Sequence, residues 1–316
     1  MKKINKLTII MYHYVRPINS SKFSKIKGLE VKNFKKQLDY LLGNYKFITS
    51  EQLIAYSLGE DNLPNNSCYL TFDDGFKDHI KYVMPELIKR KIQGSFFPPS
   101  QAIDNRELLD VHAIHFILAS SKNIDKVFID LNNMCLDLGL TKSKLNSFYN
   151  TYAVPLRYAN GNVDSAKTIY CKRMLQVVLP IEIRLQIISN LFKKYVGINT
   201  NEFAEDLYMS LSDIKKLIEN GMYIGSHGHN HIWLGKAQKF EQIKDIKLSL
   251  YFLKKVGAKT NNWVMCYPYG SYNADTLKIL REKNCLIGLT TKSGMSNLNQ
   301  AKLLELNRYD ANDFPQ

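Results

Sequence analysis

No two of the five cysteines, Cys68, Cys135, Cys171, Cys266 and Cys285, form a CxxC pair, and their count is odd. Most sit in apolar runs, so reduced and largely buried thiols in a cytoplasmic protein account for them better than a disulfide framework. Long hydrophobic stretches are also lacking. None approaches the roughly 18 consecutive apolar residues that a membrane-spanning helix needs. The start, Met1-Lys2-Lys3 followed by apolar Leu7 to Met11, imitates a secretory leader. But His13 and Arg16 interrupt it and no small-residue cleavage site follows, so a buried strand is the better reading. The expected location is the cytoplasm, with any contact at the inner membrane face peripheral and driven by charge. Acidic residues are in deficit, 29 against 43 Lys and Arg, for a formal charge of +14. Such an excess attracts nucleic acid, an anionic membrane or a phosphorylated substrate. Yet the cations are spread over helical patterns, as in Lys77, Lys81, Lys89 and Arg90, or Lys244, Lys247, Lys254 and Lys255. They read as solvated helix faces, and no nucleic-acid partner is expected.

What is present is an ordinary globular composition, 45% hydrophobic and 23% charged over 316 residues, enough for one large α/β domain or two smaller ones. Short β-rich runs alternate with helical patterns at both ends of the chain. Leu7–Val15, Lys46–Thr49, Cys68–Phe72 and Gly94–Pro98 read as one set of strands; Met222–Ser226, Trp263–Tyr267, Cys285–Thr291 and Leu306–Tyr309 read as another. Val31–Leu42 has helical periodicity, and Phe240–Val256 carries Phe240, Ile243, Ile246, Leu250 and Leu253 on one apolar stripe. Ser210 with Asp213 three residues on starts a further helix, which Asn220-Gly221 ends. Continuous apolar strands alternating with helices imply an α/β fold with a parallel sheet covered on both faces.

Between the two ends the pattern changes. Leu108–Ala119, Ile124–Leu138, Lys142–Tyr152, Ser165–Leu179 and Glu182–Val196 are all helical in period, with hardly a strand-like run among them. The reading is one α/β domain made of residues 1–104 and 209–316, interrupted by a helical insertion at 105–208. The insertion begins just after the strand Gly94–Pro98. Loops after strand ends line the active sites of parallel α/β folds, so an insertion there is expected to cap the site.

Three features carry chemistry. Thr71-Phe72-Asp73-Asp74-Gly75 ends an apolar run, and paired carboxylates at a strand end are costly to bury without a cation or a proton between them. Neighbouring side chains on a strand point opposite ways, so both acids serve one site only where the chain turns, as Gly75 permits. Ser226-His227-Gly228-His229-Asn230-His231 places three of the seven histidines within five residues, again after an apolar run. Two imidazoles three residues apart can converge on one ion, and an Asp with two His leaves coordination positions open, as a catalytic rather than a structural metal site requires. His227 and His231 are favoured over His229, though spacing alone does not decide the pair. The third feature, Met265-Cys266-Tyr267-Pro268-Tyr269-Gly270, is a Pro-fixed turn whose backbone N–H near Tyr269 can face a developing oxyanion; taken alone it reads as a structural turn. His112 and His115 share a helix face at i, i+3 and read as the polar edge of a helix rather than a second metal site, and His79 reads as a helix-surface residue.

Taken together and in this order, the three features resemble the NodB-homology polysaccharide deacetylases over roughly Leu7–Gln101 and Ser210–Tyr309. The resemblance implies a distorted (β/α)7-type barrel in which Asp74, His227 and His231 hold one divalent metal. That metal would be zinc, with cobalt, nickel or iron as the other candidates. It further implies Asp73 as general base and the Tyr269 N–H as part of the oxyanion hole. Two family features are missing. The third motif usually opens with an Arg that holds the catalytic Asp, where this chain has Cys266; Arg308, after the last strand, is the substitute. No His follows His231 to serve as general acid. Instead, Met11-Tyr12-His13 ends the first strand, as in the permuted poly-N-acetylglucosamine deacetylase-like branch, which makes His13 the expected acid.

The function implied is removal of an N-acetyl or related acyl group from an amino sugar in a glycoconjugate pathway. The substrate would be nucleotide-linked, lipid-linked or an oligosaccharide. An O-acetyl esterase would use the same metal site with less need of His13. A lapsed sugar-binding protein would not need the intact set of Asp73, Asp74, His227 and His231.

Overall fold

The computed structural model describes residues 6–157, 163–298 and 302–315, so the basic Met1-Lys2-Lys3 start lies outside the described residues. The chain divides into two compact units. One gathers Met1–Arg16, Gly28–Glu107 and Ala204–Gln316, the other Pro17–Lys27 and Leu108–Phe203. Along the chain the first strands are Lys6–Tyr12 (β1), Lys46–Phe47 (β2), Ser67–Asp73 (β3) and Ser95–Phe97 (β4). Leu156–Arg157 (β5) and Val163–Asp164 (β6) follow. Tyr223–Ile224 (β7), Trp263–Cys266 (β8), Cys285–Leu289 (β9), Ser296–Asn297 (β10) and Tyr309–Asp310 (β11) complete the set.

In the first unit β1, β3, β4 and β7 lie side by side and parallel, with Met11 opposite Thr71, Thr71 opposite Ser95 and Ser95 opposite Tyr223. A single bridge from Ser226 to Met265 passes the sheet on to β8, which pairs in parallel with β9. Another bridge joins Leu289 to Leu306, and β11 returns to pair in parallel with β1. The circle therefore closes through β1, β3, β4, β7, β8, β9 and the Leu306-to-β11 segment. This is a distorted (β/α)7-type barrel. Its distortion has visible sources: two seams are single bridges rather than ladders, and the β8–β9 register shifts at Trp263/Val264. In addition, β2 pairs with only the start of β3, and β10 runs antiparallel along β1.

Every residue of β3 is buried, and so is every residue of β1 after Lys6. The barrel interior takes one face of each strand and the helical coat takes the other, which is why the sequence reads as continuous apolar runs rather than alternation. The coat includes Val31–Asn44, Ser50–Leu58, Leu211–Glu219, Lys239–Lys255 and Ala274–Glu282. Thr49 with Gln52 and Ser210 with Asp213 close capping boxes, and Asn273 caps the last of these helices.

One helix buries a wider face than expected. On Lys239–Lys255 the buried positions are Gln242, Asp245, Ile246, Ser249, Phe252 and Leu253, while Phe240 is 71% exposed. Of the expected stripe Ile246 and Leu253 are buried and Ile243 and Leu250 pack partly buried against the core, so only Phe240 departs, while Gln242, Asp245 and Ser249 add a polar flank to the inward face.

The second unit holds the helices Asp110–Ser120, Ile124–Asp137, Lys142–Tyr152, Ala166–Arg173 and Ile181–Tyr195. A π-turn at Met174–Val178 continues the fourth. It also contains the antiparallel ribbon β5–β6, a strand pair that the helical periodicity did not announce. Pro17–Lys27 joins this unit through Phe23, whose ring meets those of Phe116 and Phe203 edge-on. Such a pairing of segments far apart in sequence leaves no local periodicity to read. His112 is fully buried beside His115, and among the described residues no third ligand joins them.

Candidate active site

His13, Asp73, Asp74, His227, His231 and Tyr269 lie at or beyond the C-terminal ends of β1, β3, β7 and β8, the face on which parallel α/β barrels build their sites, and Arg308 lies between the Leu306 bridge and β11. β3 ends at Asp73, and Asp74 then takes a left-handed conformation, φ 74°, before Gly75 at φ 67°. A side chain on Gly75 would meet Pro98 Cβ at 2.8 Å, so the turn needs glycine for both space and conformation. His231 and Tyr269 are likewise left-handed, at φ 52° and 57°. Three non-glycine residues in this region around one site mark stored backbone strain of the kind that surrounding structure must enforce.

Asp74 faces the histidine turn. Its Oδ1 lies 3.5 Å from His227 Nε2 and 3.3 Å from His231 Nε2, and all three side chains are buried. Their ligand atoms lie within 4.8 Å of one another, a group able to hold one cation. His227 Nδ1–H donates to the Cys266 carbonyl at 2.7 Å, which fixes the tautomer and leaves the Nε2 lone pair toward Asp74. One carboxylate and two imidazoles with room for further ligands suit a divalent transition metal. The donor set therefore fits the implied group. His229 turns elsewhere, with Nδ1 at 2.8 Å from Ser100 Oγ.

Asp73 is gripped from several sides. Arg308, wholly buried, donates from Nη1 to Asp73 Oδ1 at 3.0 Å and from Nε to the Thr290 carbonyl at 2.8 Å, while its Nη2 pairs ionically with Asp73 Oδ2 at 2.9 Å. The Cys266 thiol lies 3.3 Å from both oxygens. Burial pushes that thiol up, so it stays protonated and donates. His13 Nε2 lies 3.9 Å from Asp73 Oδ2, with the imidazole 37% exposed. Burial alone would raise the Asp73 carboxyl, but Arg308 foremost, then His227 and His13, outweigh it and hold it below the ordinary carboxylate range.

Tyr269 stacks on Trp233, ring centroids 4.4 Å apart, and meets the His231 ring edge-on at 4.7 Å. His79, expected on a helix surface, is instead fully buried against the rings of Phe72, Phe76 and Phe96. Its Nε2–H donates to the His13 carbonyl at 2.9 Å, and burial pushes its pKa down to about 4, so it is neutral near pH 7. The sequence also gave no notice of Asp245, Ser249 and Trp233. A usable signal existed for the first two: polar residues at i and i+4 on a stripe with Gln242, Ile246 and Phe252 are odd for a solvated face.

Residues 189–286 match the family model described as polysaccharide deacetylase, a span that holds the histidine turn and the Pro268 turn but not Asp73 and Asp74. The Bacillus subtilis (strain 168) protein YxkH, whose name assigns it provisionally to the polysaccharide deacetylases, is 29% identical over 140 residues. That alignment takes in 42% of this chain and about half, 47%, of the relative's length. Among solved structures, the Streptococcus pyogenes deacetylase PplD in complex with acetate is similar at TM-score 0.59 and 18% identity, over 98% of this chain and 93% of that one. IcaB from Ammonifex degensii follows at 0.58 and 18%, over 97% and 92%. The BpsB deacetylase domain from Bordetella bronchiseptica follows at 0.56 and 15%, over 98% of each. These likenesses are likenesses of fold. With the signature Thr71–Gly75 and the His227–His231 turn, the match over residues 189–286 makes the chain similar to the polysaccharide deacetylases, and the three solved deacetylases share its fold.

Proposed function

We propose that this chain is a metal-dependent hydrolase that removes an N-acetyl group from an amino sugar, with Asp74, His227 and His231 holding the metal. The observation that carries the reading is the juxtaposition of that trio with a second, differently held carboxylate. Asp73 is clamped by Arg308 and touched by His13, while its neighbour Asp74 faces the imidazoles. A divalent cation bound there supplies Lewis acidity to the acyl oxygen and to the attacking water.

The chain's own groups do the rest. Asp73, kept ionised by Arg308, accepts the water's proton as the water attacks the acyl carbon. The guanidinium and the Cys266 thiol fix the carboxylate so that it need not reorganise when it takes that proton. His13, half-exposed beside the same carboxylate, protonates the departing amine, without which an amide nitrogen is a poor leaving group. The Tyr269 backbone N–H, in a turn packed by Trp233 and His231, is suited to receive the oxyanion. The excess of positive charge supports an anionic carrier for the sugar, nucleotide-linked or lipid-linked at a membrane surface.

The test is amine release from a panel of nucleotide-linked, lipid-linked and oligomeric N-acetyl sugars, with and without chelator. Chelator-sensitive release is expected from at least one. Asp73→Asn should keep its metal and lose nearly all turnover, whereas His231→Ala should lose the metal. Equal metal loss in both variants overturns the assigned roles. Release of acetate from esters alone, unaffected by His13→Ala, turns the reading to an O-acetyl esterase.

A further inference from the structure

We infer that Asp245 is a positioning residue for the ligating histidines: its buried carboxylate, on the helix Lys239–Lys255, sets the shape of the turn that carries His227 and His231. The inference rests on the reading of those histidines as metal ligands. The two are separated by three residues with no helix or strand to hold them. Backbone N–H groups in such a buried turn need partners. Gly228 N–H donates to Ser226 Oγ at 3.1 Å, while His229 and Asn230 N–H donate to the two oxygens of Asp245, at 2.9 and 2.8 Å. Two successive amides converging on one anion form a nest, which fixes the backbone between them. The turn's carbonyls are held as well: Gly228 O accepts from Ser100 N and His229 O from Gln101 N, both at 3.1 Å.

Two further observations tie the turn to this carboxylate. Gly228 is left-handed at φ +73°, and a Cβ there would lie 2.6 Å from Asp245 Oδ2. Glycine is thus required for the carboxylate to come close enough to accept both amides. Asp245 itself is 1% exposed, on the inward stripe of its helix between Gln242 and Ser249, where an apolar residue would cost nothing to bury. Each oxygen accepts one N–H, a pattern that an amide side chain cannot copy because its NH2 would confront one of the two donors. Beneath the same turn Ser226 Oγ donates to Ser249 Oγ at 2.8 Å, so one helix supplies two of its supports.

The experiment measures zinc affinity by competition with a chromophoric chelator in wild type, Asp245→Asn, Gly228→Ala and Gln242→Met, each checked for folding. Gln242 lies on the same buried face but bonds Ala237 and Thr276 rather than the turn. Asp245→Asn and Gly228→Ala are expected to bind zinc about 10–100-fold more weakly, the usual cost of losing a group that orients a ligand. Gln242→Met should keep wild-type affinity even if it melts earlier. In the metal-free protein, amide exchange at His229 and Asn230 should quicken in Asp245→Asn. Wild-type affinity in folded Asp245→Asn or in Gly228→Ala overturns the inference, as does an equal loss in Gln242→Met. No zinc binding by wild type overturns the metal reading itself, and this inference with it.

Discussion

At the scale of single residues, Arg308 shows how a buried charge is tolerated and used. Its guanidinium is out of water entirely, and its donors are answered by Asp73, the Thr290 carbonyl and Thr71 Oγ1. Asp73 is equally buried, so each makes the other's ionisation affordable. Because its folded-state pKa is depressed, Asp73 adds stability above its unfolded value of about 3.9, and that contribution fades as pH falls through the lower folded value. Arg308→Gln reverses the balance. Burial then dominates, the carboxyl rises, and the acid limb of kcat/KM should move to higher pH, with a loss of about 3–5 kcal/mol in stability from the stranded charge. An acid limb at its wild-type position would show that Arg308 does not set the charge of Asp73. From the sequence, Asp73, Asp74, His227 and His231 were legible because each pair sits within a short run of chain just after an apolar strand, although the two pairs are about 150 residues apart. Arg308 was reachable only as a substitute for a missing motif residue. Asp245 left only the signal of a polar stripe on its helix, and His79 left none, since its partner is the carbonyl of His13, far away in the chain.

At the scale of elements, the helix Lys239–Lys255 separates what periodicity can and cannot give. Its existence and length follow from apolar spacing, and its ends agree within a residue of the expected Phe240–Val256. The full width of its buried face does not follow, because a hydrophobic stripe is only one of several stripes that a 3.6-residue period allows. The stripe that packs inward carries Gln242, Asp245 and Ser249, each bonded to the Thr276 side or to the histidine turn and its base. Hydrogen bonds here extend the buried face beyond the apolar stripe, so hydrophobicity marks one side of that face and misplaces only Phe240. Thermal or denaturant melts test this directly. Phe240→Ser should change stability by no more than about 0.5 kcal/mol, as at other exposed positions. Phe252→Ala, at a fully covered position, should cost about 3–5 kcal/mol. The reverse ranking would return Phe240 to the buried face.

At the scale of the whole molecule, the alternation of strand and helix at both chain ends was enough to read a parallel α/β sheet covered on both faces, because double-sided burial leaves continuous apolar runs, while the barrel came only from the family resemblance. Closure was harder to see. It depends on single bridges at Ser226–Met265 and Leu289–Leu306, which have no sequence pattern of their own. Those seams adjoin the chemistry: Ser226 precedes His227, Met265 precedes Cys266, and Leu306 lies two residues before Arg308. Asp74 and the two imidazoles bring together the end of β3 and the strand end after β7, two places round the barrel with β4 between them. A cation bound by all three should stabilise the folded chain as a whole by mass action, by about 4 kcal/mol when zinc is present at 1,000 times its Kd. Differential scanning fluorimetry should show the melting temperature rise with added zinc and return on chelation. His231→Ala should show no zinc-dependent rise, whereas Asp73→Asn, which leaves the trio intact, should keep one. A zinc-dependent rise that survives in His231→Ala would place the cation somewhere other than between Asp74 and the two imidazoles.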